Sequence, residues 1–351
     1  MTANATFDFD LLARLADAPG PVGHEDRVRD VIRDELPPVD AVRTDAMGNL
    51  VATVEGSANP DYEVLVAAHM DEIGLVVSDV DDDGFCSVEP LGGWNPDALR
   101  GHPVTVHTDD GDYDGVVEIT AAHTAAEEAP EEWTLDDAHV FTGLDPTHAA
   151  EAFGVGDVVT LDSDLRELSE CVAGSSLDDR AGVYVLLEAA RLADPAVTVH
   201  YAATVQEEVG LRGATALGAD VDPDLVVALD GTLEQSYPGV DPSDAISKLG
   251  DGVGIKRKDA SVIPTPGVAE RFECLAETHG VPFQREVSWN IGTDTGGLQH
   301  AGGARPVGAL SIPVRYHHSA VETADSRDIE AAVDLLAAFL DAEEGADYAP
   351  D

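Results

Sequence analysis

The 351-residue chain reads as an α/β protein: a mixed sheet covered by helices, interrupted by a small β-rich insertion. Three observations predict this. Continuous apolar runs such as "EVLVAAH" and "DLVVALDG" alternate with helix-period stretches, the pattern of a sheet buried on both faces. Between about residues 80 and 165 the texture changes to short alternating runs separated by turn-formers, an all-β signature. The length suits two domains at about 150 residues each. The expected boundaries are 1–74 with 166–351 for the α/β domain, and 75–165 for the insertion.

The elements follow in order. Residues 7–18 have amphipathic helical spacing and end at "APGPVG", and a second helix is expected from Glu25 to Leu36. "LVATVE" at 50–55, "EVLVAAH" at 63–69 and "GLVVSDV" at 74–80 are apolar enough for strands. The insertion carries "CSVEPL", "PVTVHT", "YDGVVEIT" and "GDVVTLD", with an acidic, Ala-rich stretch at 123–153. From 176 the helix–strand alternation returns. "SLDDRAGVYVLLEAARLA" predicts a helix, 197–205 and 224–231 predict strands, and "ARPVGALSIPVR" at 304–315 holds another. "DSRDIEAAVDLLAAFLDAEE" has the period of a C-terminal helix.

Composition narrows the function. Acidic residues number 69 against 19 basic, for a formal charge of −50, and the acid is spread along the chain. Only Lys248, Lys256 and Lys258 are lysines. Self-repulsion on this scale opposes a compact state unless salt screens it, so the expected solvent is a halophilic cytoplasm. Nucleic-acid binding needs basic patches, and "GIKRKD" at 254–259 is the only short basic run. Cys86, Cys171 and Cys274 are odd in number and far apart, which suggests neither a disulfide framework nor a thiolate metal site. No run approaches the roughly 18 apolar residues of a membrane span, and the N-terminus lacks the features of a signal peptide.

Five segments place His, Asp or Glu at the end of an apolar strand or the start of a helix, where open α/β sheets gather ligands. They are "AAHMDEIG" (His69, Asp71), "SSLDDRAG" (Asp178, Asp179), "VQEEVG" (Glu207, Glu208), "ALDG" (Asp230) and "RYHHS" (His317, His318). Each piece alone is weak: Asp178 equally suits a helix cap, and the paired glutamates a solvated edge. Their joint placement beside buried strands is what points to chemistry, since buried charges must be paired or bind metal. Mixed His and carboxylate donors without cysteine suit zinc, cobalt or manganese. There are more of them than one ion needs, and a pair of ions sharing a carboxylate uses them fully. Glycoside hydrolysis is the weakest option, because it needs carboxylates astride a sugar beside aromatic platforms, and aromatics are 5%.

The ordered set "HMDEIG … LDDRAG … QEEVGLRGA … LDGT … GTDTGG … SIPVRYHHSAVE" closely resembles the M42, TET-type metallo-aminopeptidases, glutamyl- and leucyl-type enzymes of which some carry an old endoglucanase label. The resemblance runs from "GPVGHEDRVRD" to the C-terminal helix. It implies two divalent ions per subunit, zinc or cobalt. His69 and Asp230 would hold the first, Glu208 and His318 the second, with Asp178 bridging across a cis Asp178–Asp179 peptide. It implies Glu207 as general base and Asp71 as the residue orienting His69. The insertion would be a PDZ-like dimerisation domain, and dimers would assemble into a tetrahedral dodecamer that takes peptide substrates. His123 would reach toward a neighbouring subunit's site, and Asp294 would lie near the substrate pocket or serve a turn. Arg180, Arg212 and Arg315 are the candidate partners for an acidic substrate side chain. A deacylase or carboxypeptidase on the same two-metal scaffold is the alternative.

Overall fold

The computed structural model describes residues 5–120, 133–241, 243 and 245–348. Helices α1 (Phe9–Ala16) and α2 (Asp26–Glu35) lead into β1 (Ala41–Thr44), β2 (Leu50–Val54) and β3 (Asn59–His69). Six strands then close on themselves: β4 (Gly74–Val80), β5 (Cys86–Leu91), β6 (Pro103–Thr108), β7 (Gly111–Val117), β8 (His139–Phe141) and β9 (Val158–Leu161), with α3 (Pro146–Ala152) between the last two. The chain returns through β10 (Arg166–Leu168), β11 (Cys171–Gly174), α4 (Leu177–Leu192), β12 (Val197–Thr204), α5 (Arg212–Val221) and β13 (Leu225–Leu233). It finishes with β14 (Val253–Lys258), α6 (Pro266–His279), β15 (Phe283–Val287), α7 (Asp294–His300), β16 (Val307–Arg315), β17 (Glu322–Asp325) and α8 (Ser326–Ala342).

Among the described residues, β1–β3 and β10–β17 form one eleven-stranded mixed sheet. Its centre is four parallel strands in the order β12, β3, β13, β16. Side chains alternate across these strands, and the alternation sorts the core. Val64, Val66 and Ala68 of β3 join Val227 and Leu229 of β13 in the large cluster under α1, α4, α6 and α8. Leu65, Ala67 and Val226 face the other way, onto Ala214, Leu217 and Leu298 of α5 and α7. Both faces are thus dry, which is why the strands read as continuous apolar runs. His69 continues the parity of Leu65 and Ala67, and Asp230 that of Val226. Both therefore emerge at the carboxyl edge on the α5/α7 side.

The β-rich stretch folds as a six-stranded closed barrel with its own core of Leu75, Val77, Val104, Val106, Val117 and Val140. The likeness to a PDZ domain is the narrower expectation, and the barrel is the form in which the β-rich insertion is seen. His123 lies outside the described residues. Among the described residues, no helix is long and apolar enough to cross a membrane.

Candidate metal centre

The site begins where β3 and β12 end side by side, His69 paired in register with Thr204. Past Thr204 the chain breaks its alternation at Gln206, which adopts a left-handed conformation (φ 56°). The break turns both following glutamates toward one place. Asp71, fully buried two residues beyond His69, receives them through the main chain. Its Oδ1 accepts the Glu207 N–H at 3.0 Å and its Oδ2 the Glu208 N–H at 3.2 Å.

A second buried carboxylate works the same way on the opposite side. Glu322 Oε2 accepts the Asp178 N–H at 3.0 Å and Oε1 the His318 N–H at 2.7 Å. The two segments that carry Asp178 and His318 are thereby clamped together. Asp178 sits where α4 has not yet become regular (φ −84°, ψ 107°), and its peptide to Asp179 is cis. Arg180, fully buried, anchors that turn by donating to the carbonyls of Met70, Leu15 and Ala18. It also lies against Glu72 at 3.4 Å.

Of the three imidazoles beside Asp178, two have their tautomer set by a main-chain carbonyl. His69 Nδ1 donates to the Asp71 carbonyl (3.0 Å), and His318 Nδ1 to the Gly93 carbonyl (2.5 Å), which the barrel side supplies. Each Nε2 is left facing carboxylate oxygens. His69 Nε2 lies 3.4 Å from Asp178 Oδ1 and 3.7 Å from Asp230 Oδ1, and His318 Nε2 lies 3.5 Å from Asp178 Oδ2 and 3.3 Å from Glu208 Oε1. An imidazole nitrogen set against carboxylate oxygens calls for a cation there, a proton or a metal ion. Burial alone would push the His318 imidazolium down, yet Asp178 and Glu208 outweigh it and push the ring up to about 12. Asp178 Oδ1 has no hydrogen-bond donor. The donor set therefore fits divalent cations, and donor atoms from His69, Asp178 and Glu208 lie within 4.8 Å of one another. Those from His69, Asp179 and Asp230, and from Asp178, His317 and His318, do the same.

The doubled residues make different contacts. Asp179 spends its oxygens on the N–H groups of Gly182 (3.0 Å) and His69 (3.2 Å), while Asp178 faces the histidines. His317 stacks on His318 with ring centroids 4.6 Å apart, and its Nε2 lies 2.8 Å from Asp178 Oδ2. The sequence offers His317 and His318 together as candidates in "RYHHS", with the family resemblance favouring His318, and it does not single out Glu322. Burial pushes the Glu207 carboxyl well above the usual range, with Asp230, Asp294 and Glu208 adding to it and His69 opposing. Asp230 is likewise pushed up to about 7 by burial, partly offset by His69. Asp294 lies beneath the site, where its carboxylate accepts from the Thr204 hydroxyl and burial pushes it up to about 6.

The three arginines proposed as substrate partners go elsewhere. Arg180 is walled in as described, Arg212 is exposed on α5, and Arg315 pairs with Glu234 at 2.5 Å.

Comparison with known proteins matches residues 48–335 to the family model described as M42 glutamyl aminopeptidase. The lysyl aminopeptidase of Pyrococcus furiosus is 33% identical, over 98% of this chain and 99% of its own. Among solved structures, aminopeptidase APDkam598 from the archaeon Desulfurococcus kamchatkensis superposes with a TM-score of 0.90 at 35% identity, over 95% of this chain and 94% of its own. The TET1 peptidase of Pyrococcus horikoshii, which can assemble into a tetrahedron or a large octahedral shell, gives 0.84 at 31% identity, over 94% and 98%.

Proposed function

The chain belongs to the M42 family of glutamyl-type aminopeptidases, and from that premise we propose that it removes N-terminal residues from peptides with two divalent ions, zinc or cobalt. His69 and Asp230 would hold one ion and Glu208 and His318 the other, with Asp178 shared. The observation that carries this reading is the pair of imidazole Nε2 atoms fixed on either side of one carboxylate, 3.4 and 3.5 Å from it. When bound, the ions polarise the scissile carbonyl and acidify the attacking water.

The remaining work belongs to the chain. Glu207, at the cavity's edge with a raised proton affinity, takes the water's proton on its carboxylate and returns it to the leaving amine. Asp71 holds the Glu207 and Glu208 main chain in place, and Glu322 does so for Asp178 and His318. The barrel serves as a dimerisation domain of a homo-oligomer assembled as in the TET peptidases, and the net charge of −50 suits a salt-rich interior.

The test is a panel of free and N-acetylated peptides assayed in molar KCl after chelation and metal return. Metal-dependent release of single residues from free N-termini alone is expected. Glu207→Gln should keep both ions and lose roughly 10²–10⁴-fold in turnover. Equal cleavage of acetylated peptides would replace this reading with a deacylase.

A further inference from the structure

A cavity of about 510 Å³ opens directly onto Glu207, Asp178 and Asp230. A second of similar size lies beyond His317 and His318, against the barrel, and does not touch Glu207. A residue cleaved with its carbonyl beside Glu207 and its amine among the ligands must put its side chain in the first. That cavity is walled by Leu211 from the turn after β12, Leu233 from the end of β13 and Ile291 from the loop before α7. Gly210, Gly231 and Gly292 leave it wide. Outside the catalytic cluster its one polar wall residue is Asn290, and among the described residues no Lys or Arg lines it.

Nor can a cation easily be brought in. Arg180 is enclosed and Arg315 bound to Glu234. Lys256, fully buried, is held by Glu286 at 2.7 Å and Asp259 at 3.3 Å. The carboxylates that line the cavity, Asp178, Glu207, Glu208 and Asp230, would themselves balance the charge of two divalent ions. A carboxylate entering there loses its water and gains no partner. An aliphatic side chain gains burial at no such cost.

Resting on the aminopeptidase reading, we infer that Leu211, Leu233 and Ile291 make this a peptidase for uncharged aliphatic N-terminal residues, despite the glutamyl label of its family. The discrimination comes from a site that offers apolar contact and no counter-ion.

The experiment compares kcat/KM of the metal-loaded enzyme on leucyl-, methionyl-, lysyl- and glutamyl-p-nitroanilide in molar KCl. The aliphatic substrates should exceed the glutamyl one by roughly a hundredfold. In calorimetry, Glu207→Gln protein should bind Leu-Gly-Gly and not Glu-Gly-Gly. Ile291→Arg, on a half-buried loop outside the sheet, should raise glutamyl turnover about tenfold and lower leucyl turnover. Faster release of Glu or Lys than of Leu overturns the inference and leaves the aminopeptidase standing. No release from any free N-terminus with metals bound overturns both.

Discussion

Replacing Asp71 by asparagine separates two ways in which this residue could serve the site. Its carboxylate takes one main-chain N–H on each oxygen, at 3.0 and 3.2 Å, from Glu207 and Glu208. Asparagine offers one acceptor oxygen, so one of these donors must face an NH₂ group. A hydrogen bond to a charged group is worth about 1.5–3 kcal/mol, and the surviving bond falls to the neutral value of about 0.5–1.5. The turn therefore loses about 2–4 kcal/mol of restraint at the position where base and ligand must be held. A shift of about 1 Å costs roughly 10²-fold in rate, and losing such support weakens a metal about 10- to 100-fold. His69 is spared, because its Nδ1 donates to the Asp71 carbonyl, while the carboxylate lies 3.6 Å away. Asp71→Asn should thus lower kcat with little change in KM and weaken the ion held by Glu208 and His318. Metal titration calorimetry, with anomalous scattering to tell the two positions apart, reads this directly. In a double-mutant cycle the loss should be largely shared with Glu208→Gln. Loss of the His69–Asp230 ion with the other retained would refute the reasoning.

Three further outcomes are expected. Lys256→Met should cost about 3–5 kcal/mol in denaturant unfolding, because it strands two fully buried carboxylates, Glu286 and Asp259; a neutral result would mean the trio is already uncharged. Arg27, with help from His107, holds the Asp112 carboxyl well below the usual range and ties α2 to the barrel. Because that proton affinity is depressed in the folded state, its stabilisation is present above about pH 4 and is lost as pH falls further. Asp112→Asn should flatten that acid limb, with an effect of at most about 1 kcal/mol at this exposed site and less in molar salt, measured by thermal unfolding against pH. Thermal stability should climb from about 0.1 M to multimolar KCl as the Debye length shrinks from about 10 Å to under 3 Å; a flat profile would remove the argument for a halophilic solvent.

The sheet and the His- and carboxylate-bearing strand ends are legible because β3, β12, β13 and β16 are buried on both faces, and such strands announce themselves as apolar runs. The supports were not legible. Glu322 is one acid among 69, and nothing local marks it; only its two main-chain donors, one from Asp178 far back in the chain, reveal it. His317 and His318 read alike, and their roles separate only through Gly93, which orients the second ring. Helix α6 carries ordinary local signals, Pro266 at its start and Gly280 in a left-handed cap. Helix α7, "DTGGLQH", has no helical propensity to read. Its glycines are there for packing, since a Cβ on Gly296 would meet Ser261 at 2.6 Å and one on Gly297 would meet Thr215 at 2.7 Å.

The spread of the donors along the chain also has a bearing on synthesis. They run from His69 to His318, and the last ring needs a carbonyl from position 93. No partial chain emerging from a ribosome carries the whole set until β16 is made and has paired with β13 in parallel, a slow, long-range closure. A zinc finger can fold around its ion; a donor set drawn from positions 69 to 318 comes together only with the sheet itself. Until the sheet closes, Asp178, Glu208 and Asp230 lie on separate segments of a chain of formal charge −50, whose self-repulsion salt screens.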